Sequence, residues 1–143
     1  MPAADLLFVY GTLRRGGSND IARIAPDAVL ITTARVRGRL YDVNGRWPAL
    51  VQDEGAGWVI GEIYRVSPQS WPALDALEDP VTPTHPDGAY FKVEANVEWG
   101  SSSECGSARG TERVTLYTAN PAMTRLTHLI SSGDWIAYAA IVV

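Results

Sequence analysis

The sequence contains few of the residues from which disulfides and metal sites are built. Its 143 residues include a single cysteine, Cys105, so no internal disulfide can form. Cys105 lies in a Ser- and Gly-rich stretch without a neighbour that would activate its thiol, which favours an exposed bystander over a nucleophile. The two histidines, His85 and His128, have no ligand-like spacing around them. The sequence therefore predicts no metal site and no thiol chemistry.

Long apolar runs and a strong excess of one charge are also missing. The most apolar segment, residues 136–143, is too short to cross a bilayer. The first apolar run is too short for a signal peptide and follows Asp5. A net charge of −4 argues against nucleic acid as the main partner. We therefore expect a cytoplasmic protein whose partners include neither nucleic acid nor a membrane.

The segments that are present predict a small, strand-rich protein. Hydrophobic residues make up 46% and charged residues 20%, and the length fits one domain over residues 1–143. Short β-branched and apolar runs between turn signals predict strands over residues 6–10, 28–43, 47–51, 58–66, 90–99 and 112–118. Asn44 and Gly45 predict a hairpin turn between the second and third of these. We expect an α+β fold, a compact and mixed β-barrel-like sheet with two or three short helices.

Helix signals are few but distinct. Ser67 followed by Pro68 is typical of a helix start, and Pro80 ends the pattern, so a helix is predicted over residues 67–79. Asp20 and its polar neighbours predict a cap for a short helix that begins at Ile21. A third short helix is predicted over residues 121–130.

The first strand is followed by a loop suited to binding an anion. The apolar run that ends at Tyr10 gives way to Gly11, polar residues and two arginines. A loop at that end of a buried strand presents backbone N–H groups and positive charge. Such groups suit a carboxylate, a phosphate or a developing oxyanion.

Glu78 is the candidate acid or base. Trp71, Leu74 and Leu77 predict the buried stripe of the helix, and Glu78 lies about 40° from Leu74 around the helix axis. Burial of an unpaired carboxylate costs on the order of several kcal/mol, so a buried carboxylate is either paired or lines a cavity. Fraying of the last helical turn, which would let Glu78 reach solvent or an arginine, is the alternative. Glu62 is the other candidate for this role, and the strand pattern around it does not determine which face of the sheet its side chain is on.

A desolvated glutamate beside an anion-binding loop can perform proton transfer, because burial moves the pKa of its carboxyl towards neutrality. The sequence offers no Ser–His–Asp set and no metal cluster. This combination fits an intramolecular acyl transfer in which an amine attacks a carbonyl.

Six short motifs resemble one family and occur in its order. They are Tyr10-Gly11-Thr12-Leu13-Arg14-x-Gly16, Gly38-x-Leu40-Tyr41-Asp42, Trp47-Pro48-Ala49-Leu50, Gly61-Glu62-Ile63-Tyr64, Leu74-Asp75-x-x-Glu78 and Ser132-Gly133-Asp134-Trp135. The chain resembles the gamma-glutamylcyclotransferase-like superfamily. Within it, the chain is most similar to the avirulence-induced-gene-like proteins and gamma-glutamylamine cyclotransferases.

The resemblance implies a cavity between the Tyr-Gly-Thr-Leu loop and the Leu-Asp-x-x-Glu helix. It implies that Glu78 is the catalytic glutamate. The residues implied to hold the gamma-glutamyl group through main-chain amides are Tyr10, Gly11, Thr12 and Leu13. The family's reaction releases 5-oxoproline and an amine or amino acid from a small gamma-glutamyl substrate, without a metal or organic cofactor.

The sequence does not decide the role of three tyrosines, and it allows two functions other than catalysis. Tyr10, Tyr90 and Tyr117 can each line the cavity or pack in the core. The chain could instead be a non-catalytic protein that binds a carboxylate metabolite, or an interaction protein that recruits a partner through residues 100–110. Glu78 favours the enzyme, since a buried negative charge would weaken the binding of an anionic ligand.

Overall fold

Seven strands and three short helices make up the described part of the chain. The computed structural model describes residues 6–17, 19–43, 47–78, 82–88, 90–99, 110–120, 126 and 128–142. In chain order the elements are β1 (Leu6–Val9), α1 (Ile21–Ile24), β2 (Val29–Val43), β3 (Trp47–Gln52), β4 (Trp58–Arg65), α2 (Trp71–Glu78), β5 (Tyr90–Trp99), β6 (Gly110–Ala119), β7 (His128–Leu129) and α3 (Trp135–Val142).

Five of the strands close into a barrel. β1 pairs antiparallel with β4 and parallel with β6, and β6 pairs antiparallel with β5 over ten residue pairs. β5 then pairs with β2 through Ala34 and Arg35, and β2 pairs with β4, which completes the ring. The predicted barrel-like α+β fold is therefore confirmed, and the closed barrel has no free edge between these five strands.

β2 is long enough to serve two parts of the sheet. Its first half pairs with β4, and the half from Gly38 to Val43 pairs antiparallel with β3. Trp47 pairs with Val43 at the closed end of this predicted hairpin. The Asn44-Gly45 turn itself lies outside the described residues. The pairing of β3 with β2 places β3 at the end of the barrel, near the carboxyl end of β1.

The helix that carries Glu78 begins and ends close to its predicted bounds. Pro68–Ser70 forms a single 3-10 turn after Ser67, and α2 continues to Glu78. Asp20 caps α1 as predicted, because its side chain accepts a hydrogen bond of 3.0 Å from the Ala22 amide.

The two larger clusters of the core lie on the two faces of β1. Leu6 and Phe8 belong to the cluster inside the barrel, whereas Leu7 and Val9 pack beneath the helices with Leu74. Alternate residues of a strand point to opposite faces, so a strand that is apolar throughout serves both clusters. This arrangement places the end of β1 directly beside α2.

The predicted helix over residues 121–130 is wrong at its carboxyl end. His128–Leu129 form β7, which pairs antiparallel with Tyr41 and Asp42 of β2. This segment forms a strand because β2, which is distant in sequence, pairs with it, and the local sequence pattern does not reveal that partner. Residues 121–125 lie outside the described part of the chain, as do Cys105 and residues 100–109. No helix among the described residues has both the length and the apolar character needed to span a membrane.

Candidate functional site

A pocket of about 240 Å³ lies between the loop after β1 and the end of α2. It brings together all seven residues predicted for the site: Tyr10, Gly11, Thr12, Leu13, Glu78, Tyr90 and Tyr117. The volume is near the lower limit of small-molecule pockets, about 300 Å³. The enclosed space therefore fits a group about the size of one amino acid.

Glu78 contributes its carboxyl group to the pocket. The side chain is half-buried as a whole, yet protein surrounds the carboxyl closely enough that burial raises its pKa from 4.5 to about 7. No ion pair joins Glu78 to another described residue. At neutral pH this carboxyl can therefore both accept and donate a proton.

The loop after β1 lines the pocket, and the peptide N–H groups at its start have no assigned acceptor among the described residues. The amides of Arg14, Gly17 and Asn19 donate to loop carbonyls, whereas no acceptor among the described residues is assigned to those of Gly11–Leu13. Peptide N–H groups that lack a partner at a pocket wall can bind a carboxylate or an oxyanion.

Gly11 allows this loop to lie against β3. A Cβ atom at Gly11 would come within 2.2 Å of Cγ of Pro48, far inside van der Waals contact. Only glycine therefore permits the observed approach of the loop to the β3 wall.

Tyr10 and Tyr90 shape the pocket with their rings, because their hydroxyls are engaged elsewhere. The Tyr10 hydroxyl donates to the Tyr117 carbonyl at 2.6 Å and accepts from the Leu50 amide at 3.3 Å. The Tyr90 hydroxyl donates to the Pro48 carbonyl at 2.7 Å. Burial raises the pKa of both phenols, with the nearby Glu78 carboxyl adding to the shift, so both stay neutral.

Tyr117 is connected to a second carboxylate on α2. Its hydroxyl donates to Oδ1 of Asp75 at 2.6 Å, and Lys92 Nζ lies 3.1 Å from the same carboxylate. The Lys92 ammonium also lies 4.4 Å from the centre of the Trp71 ring. Burial raises the pKa of Tyr117 far above its usual value, and Asp75 adds to this effect. Because its proton is directed to Asp75, the Tyr117 oxygen can only accept from a group in the pocket.

The two arginines of the loop do not supply the positive charge that the sequence predicted for the pocket. Arg14 Nε contacts Glu62 at 2.6 Å, and another guanidinium nitrogen contacts Asp134 at 2.8 Å. Glu62 also accepts from the Arg15 amide at 3.1 Å. Arg14 therefore anchors the loop to β4 and to the start of α3, and Glu62 is its partner and not a rival to Glu78.

The sequence pattern missed the outer part of the pocket. Trp47, which was not among the predicted site residues, lines the pocket and is 41% exposed. Leu77, assigned to the buried stripe of α2, also lines the pocket and is 38% exposed, whereas Leu74 is fully buried. Asn19 adds a polar side chain to the lining, and its side-chain amide donates a hydrogen bond of 3.2 Å to the Thr12 hydroxyl. The Trp-Pro pair at a strand start is the one sequence signal that could have indicated the β3 wall.

Comparison with known proteins extends over most of the chain. Residues 7–137 match the family model described as gamma-glutamyl cyclotransferase, AIG2-like. A Halalkalibacterium halodurans protein, named "Putative gamma-glutamylcyclotransferase", is 36% identical over 101 residues, which cover 71% of this chain and 80% of that protein. The gamma-L-glutamyl-butirosin B gamma-glutamyl cyclotransferase of Niallia circulans is 31% identical over 101 residues, which cover 70% of this chain and 62% of that protein.

Solved structures share the fold. YkqA from Bacillus subtilis superposes with a TM-score of 0.68 at 26% identity, over 96% of this chain and 41% of that chain. An AIG2-like protein from Mus musculus superposes with a TM-score of 0.64 at 24% identity, over 89% of this chain and 86% of that chain. The barrel, its helices and its connections are thus those of a known fold.

Proposed function

Because this chain belongs to the gamma-glutamyl cyclotransferase, AIG2-like family, we propose that it converts a small gamma-glutamyl compound into 5-oxoproline and a free amine or amino acid. The α-amino nitrogen of the substrate attacks its own γ-carbonyl carbon. A C–N bond forms in the five-membered ring, the γ-amide C–N bond breaks, and one proton passes from the α-amino group to the departing amine. The Niallia circulans relative, whose name states a gamma-glutamyl cyclotransferase activity, supports this proposal.

One observation carries the proposal: Glu78 lines the same pocket as the loop residues Gly11–Leu13, whose peptide N–H groups have no assigned acceptor among the described residues. We assign to Glu78 the removal of the proton from the attacking amine and its delivery to the leaving amine. General acid–base catalysis of this kind contributes roughly 10²–10⁴-fold to a rate.

The raised pKa suits this double role. The attacking nitrogen must first lose its ammonium proton, and a carboxylate of pKa about 7 accepts that proton more readily than one of pKa 4.5. Since one unit corresponds to about 1.4 kcal/mol, burial of Glu78 lowers the cost of this step by about 3 kcal/mol.

The remaining pocket groups would position the substrate. The amides of Gly11–Leu13 are assigned to the substrate carboxylate or to the oxyanion that forms on the γ-carbonyl. The Tyr117 oxygen is assigned to the α-amino group as a hydrogen-bond acceptor. Because the nucleophile and the carbonyl belong to one molecule, correct folding of the substrate in the pocket supplies much of the acceleration.

The test is Glu78→Gln, which keeps the size of the side chain and removes its basicity. We expect this variant to remain folded and to lose 5-oxoproline release by at least about 10²-fold, measured by mass spectrometry with a panel of gamma-glutamyl amino acids and amines. Glu54→Gln, at an exposed position outside the pocket, is the matched control and should retain full turnover.

The dependence of kcat/KM on pH provides a second readout. Because the free enzyme must hold Glu78 as carboxylate, kcat/KM should rise with pH through an apparent pKa near 7, and this limb should be absent from residual activity of Glu78→Gln. Tight binding of gamma-glutamyl compounds without any 5-oxoproline would instead identify a non-catalytic binding protein. Unimpaired release by Glu78→Gln would remove Glu78 from the mechanism.

A further inference from the structure

The pocket changes character from its floor to its mouth. Its inner walls consist of fully buried side chains such as Phe8 and Leu13. The outer lining includes two large apolar side chains that remain open to solvent, Trp47 at 41% and Leu77 at 38%. Large apolar side chains exposed together at a pocket mouth indicate a surface that a ligand covers.

These two side chains lie where the leaving amine must emerge. The leaving nitrogen has to come within hydrogen-bond distance of the Glu78 carboxyl to receive its proton. Leu77 directly precedes Glu78 on α2, and Trp47 directly precedes Pro48, which packs against Gly11. The cavity of about 240 Å³ holds little more than the glutamyl group, so the rest of the substrate must extend towards the exposed part of the lining, to which Leu77 and Trp47 belong.

The mouth of the pocket has few groups that could bind a cationic leaving group. Among the described residues that line the pocket, Glu78 is the only one that carries a charge, and it is engaged in proton transfer. The nearby Asp75 carboxylate is already shared by Lys92 and Tyr117. Among the described residues that line the pocket, only Glu78 could pair with the ammonium groups of a polyamine or an aminoglycoside, so burial of those groups against Trp47 and Leu77 is costly.

We propose that Trp47 and Leu77 form the subsite for the leaving group and select gamma-glutamyl compounds whose amine carries an apolar or aromatic side chain. This assignment rests on the proposed cyclotransferase function. One apolar group in a hydrophobic pocket typically changes discrimination by about 10–200-fold.

The experiment compares gamma-glutamylphenylalanine, gamma-glutamylglycine and gamma-glutamylputrescine as substrates. We expect kcat/KM of the unchanged protein to be at least about tenfold higher for the phenylalanine compound than for either of the others. Trp47→Ala and Leu77→Ala should each reduce that preference to below about threefold, chiefly through a higher KM for the phenylalanine compound. Leu129→Ala removes another exposed leucine, on β7 and outside the pocket lining, and should leave the preference unchanged.

Binding separates failure of the subsite from failure of the proposed function. Calorimetry with Glu78→Gln, which does not consume substrate, should give at least about tenfold tighter binding of the phenylalanine compound than of the glycine compound. Turnover without any preference, or equal binding, overturns the subsite and leaves the cyclotransferase assignment intact. Preferential binding without 5-oxoproline release overturns the proposed reaction and supports the subsite, whereas no binding of any compound overturns both.

Discussion

Tyr117 and Asp75 are joined by a hydrogen bond of 2.6 Å that connects β6 to α2 at the wall of the pocket. The two residues are 42 positions apart in the sequence, and the contact orients the Tyr117 hydroxyl by fixing where its proton points. Asp75 lies outside the pocket lining, so its contribution to the reaction would pass through Tyr117. Asp75 is therefore a positioning residue in the proposed mechanism.

This relationship predicts that the two side chains act as a unit. Tyr117→Phe should lower kcat/KM by about 10–100-fold, because the α-amino group loses an acceptor that would hold it in the reactive orientation. Asp75→Ala should have a similar effect alone and little further effect in the Tyr117→Phe background. Asp27→Ala, at an exposed turn, is the control. Fully additive losses in the double variant would contradict the connection.

Glu78 is predicted to reduce the stability of the fold at the pH where it works. The folded protein holds the Glu78 proton up to a pH of about 7, whereas the unfolded chain releases it near 4.5. The folded state therefore binds more protons between these values, so the free energy of unfolding falls as the pH rises across them. The full effect is at most about 3 kcal/mol, since solvent at the pocket mouth screens part of it.

Glu78→Gln should accordingly be more stable than the unchanged protein at pH 8, and the gain should vanish below about pH 4.5. Urea unfolding at pH 4, 6 and 8 measures this difference. Glu54→Gln, at an exposed position, should show no such trend with pH. A constant difference between the Glu78→Gln and unchanged proteins at all three pH values would contradict the burial of the carboxyl.

Arg14 and Glu62 are predicted to matter for stability. Glu62→Gln leaves the Arg14 guanidinium, whose side chain is only 12% exposed, with Asp134 as its remaining charged partner. We expect a loss of about 1–3 kcal/mol in the free energy of unfolding. Glu98→Gln is the control, because its contact with Arg35 is longer, 3.4 Å, and more exposed, so its loss should stay within about 1 kcal/mol. Equal losses in the two variants would be the contrary result.

The side of α2 that carries Glu78 could be predicted from helical geometry, which left fraying of the last turn as the alternative, and the family resemblance favoured the pocket. The angle between Glu78 and Leu74 places both on the apolar side of α2, and in the fold that side faces β1 and the pocket. The first six strands were equally predictable, since each has its own run of apolar residues between turn signals. The local sequence pattern was sufficient wherever the structure of a segment depends on a single helix or strand.

Contacts between distant segments could not be predicted in this way. Arg14 and Asp134 are 120 residues apart, so nothing in the sequence near Arg14 reveals that its charge is neutralised. Leu77 has the spacing of a buried residue, yet no helix or strand of the described chain buries it, and the side chain lines the pocket mouth instead. The segment at His128 becomes a strand only because β2 is there to pair with it.

Gly11 offers the most direct test of the loop's position. Gly11→Ala would place a methyl group 2.2 Å from Cγ of Pro48, so either the loop or β3 must move. Displacement by about 1 Å would misalign the peptide N–H groups with the substrate, and a misplacement of that size can cost about 10²-fold in rate. We therefore expect a higher KM and a lower kcat for the Gly11→Ala variant, measured by 5-oxoproline release. Gly57→Ala is the control, because a Cβ atom there meets nothing within 4 Å and activity should persist. Equal activity of the two variants would show that the approach of the loop to Pro48 has no part in catalysis.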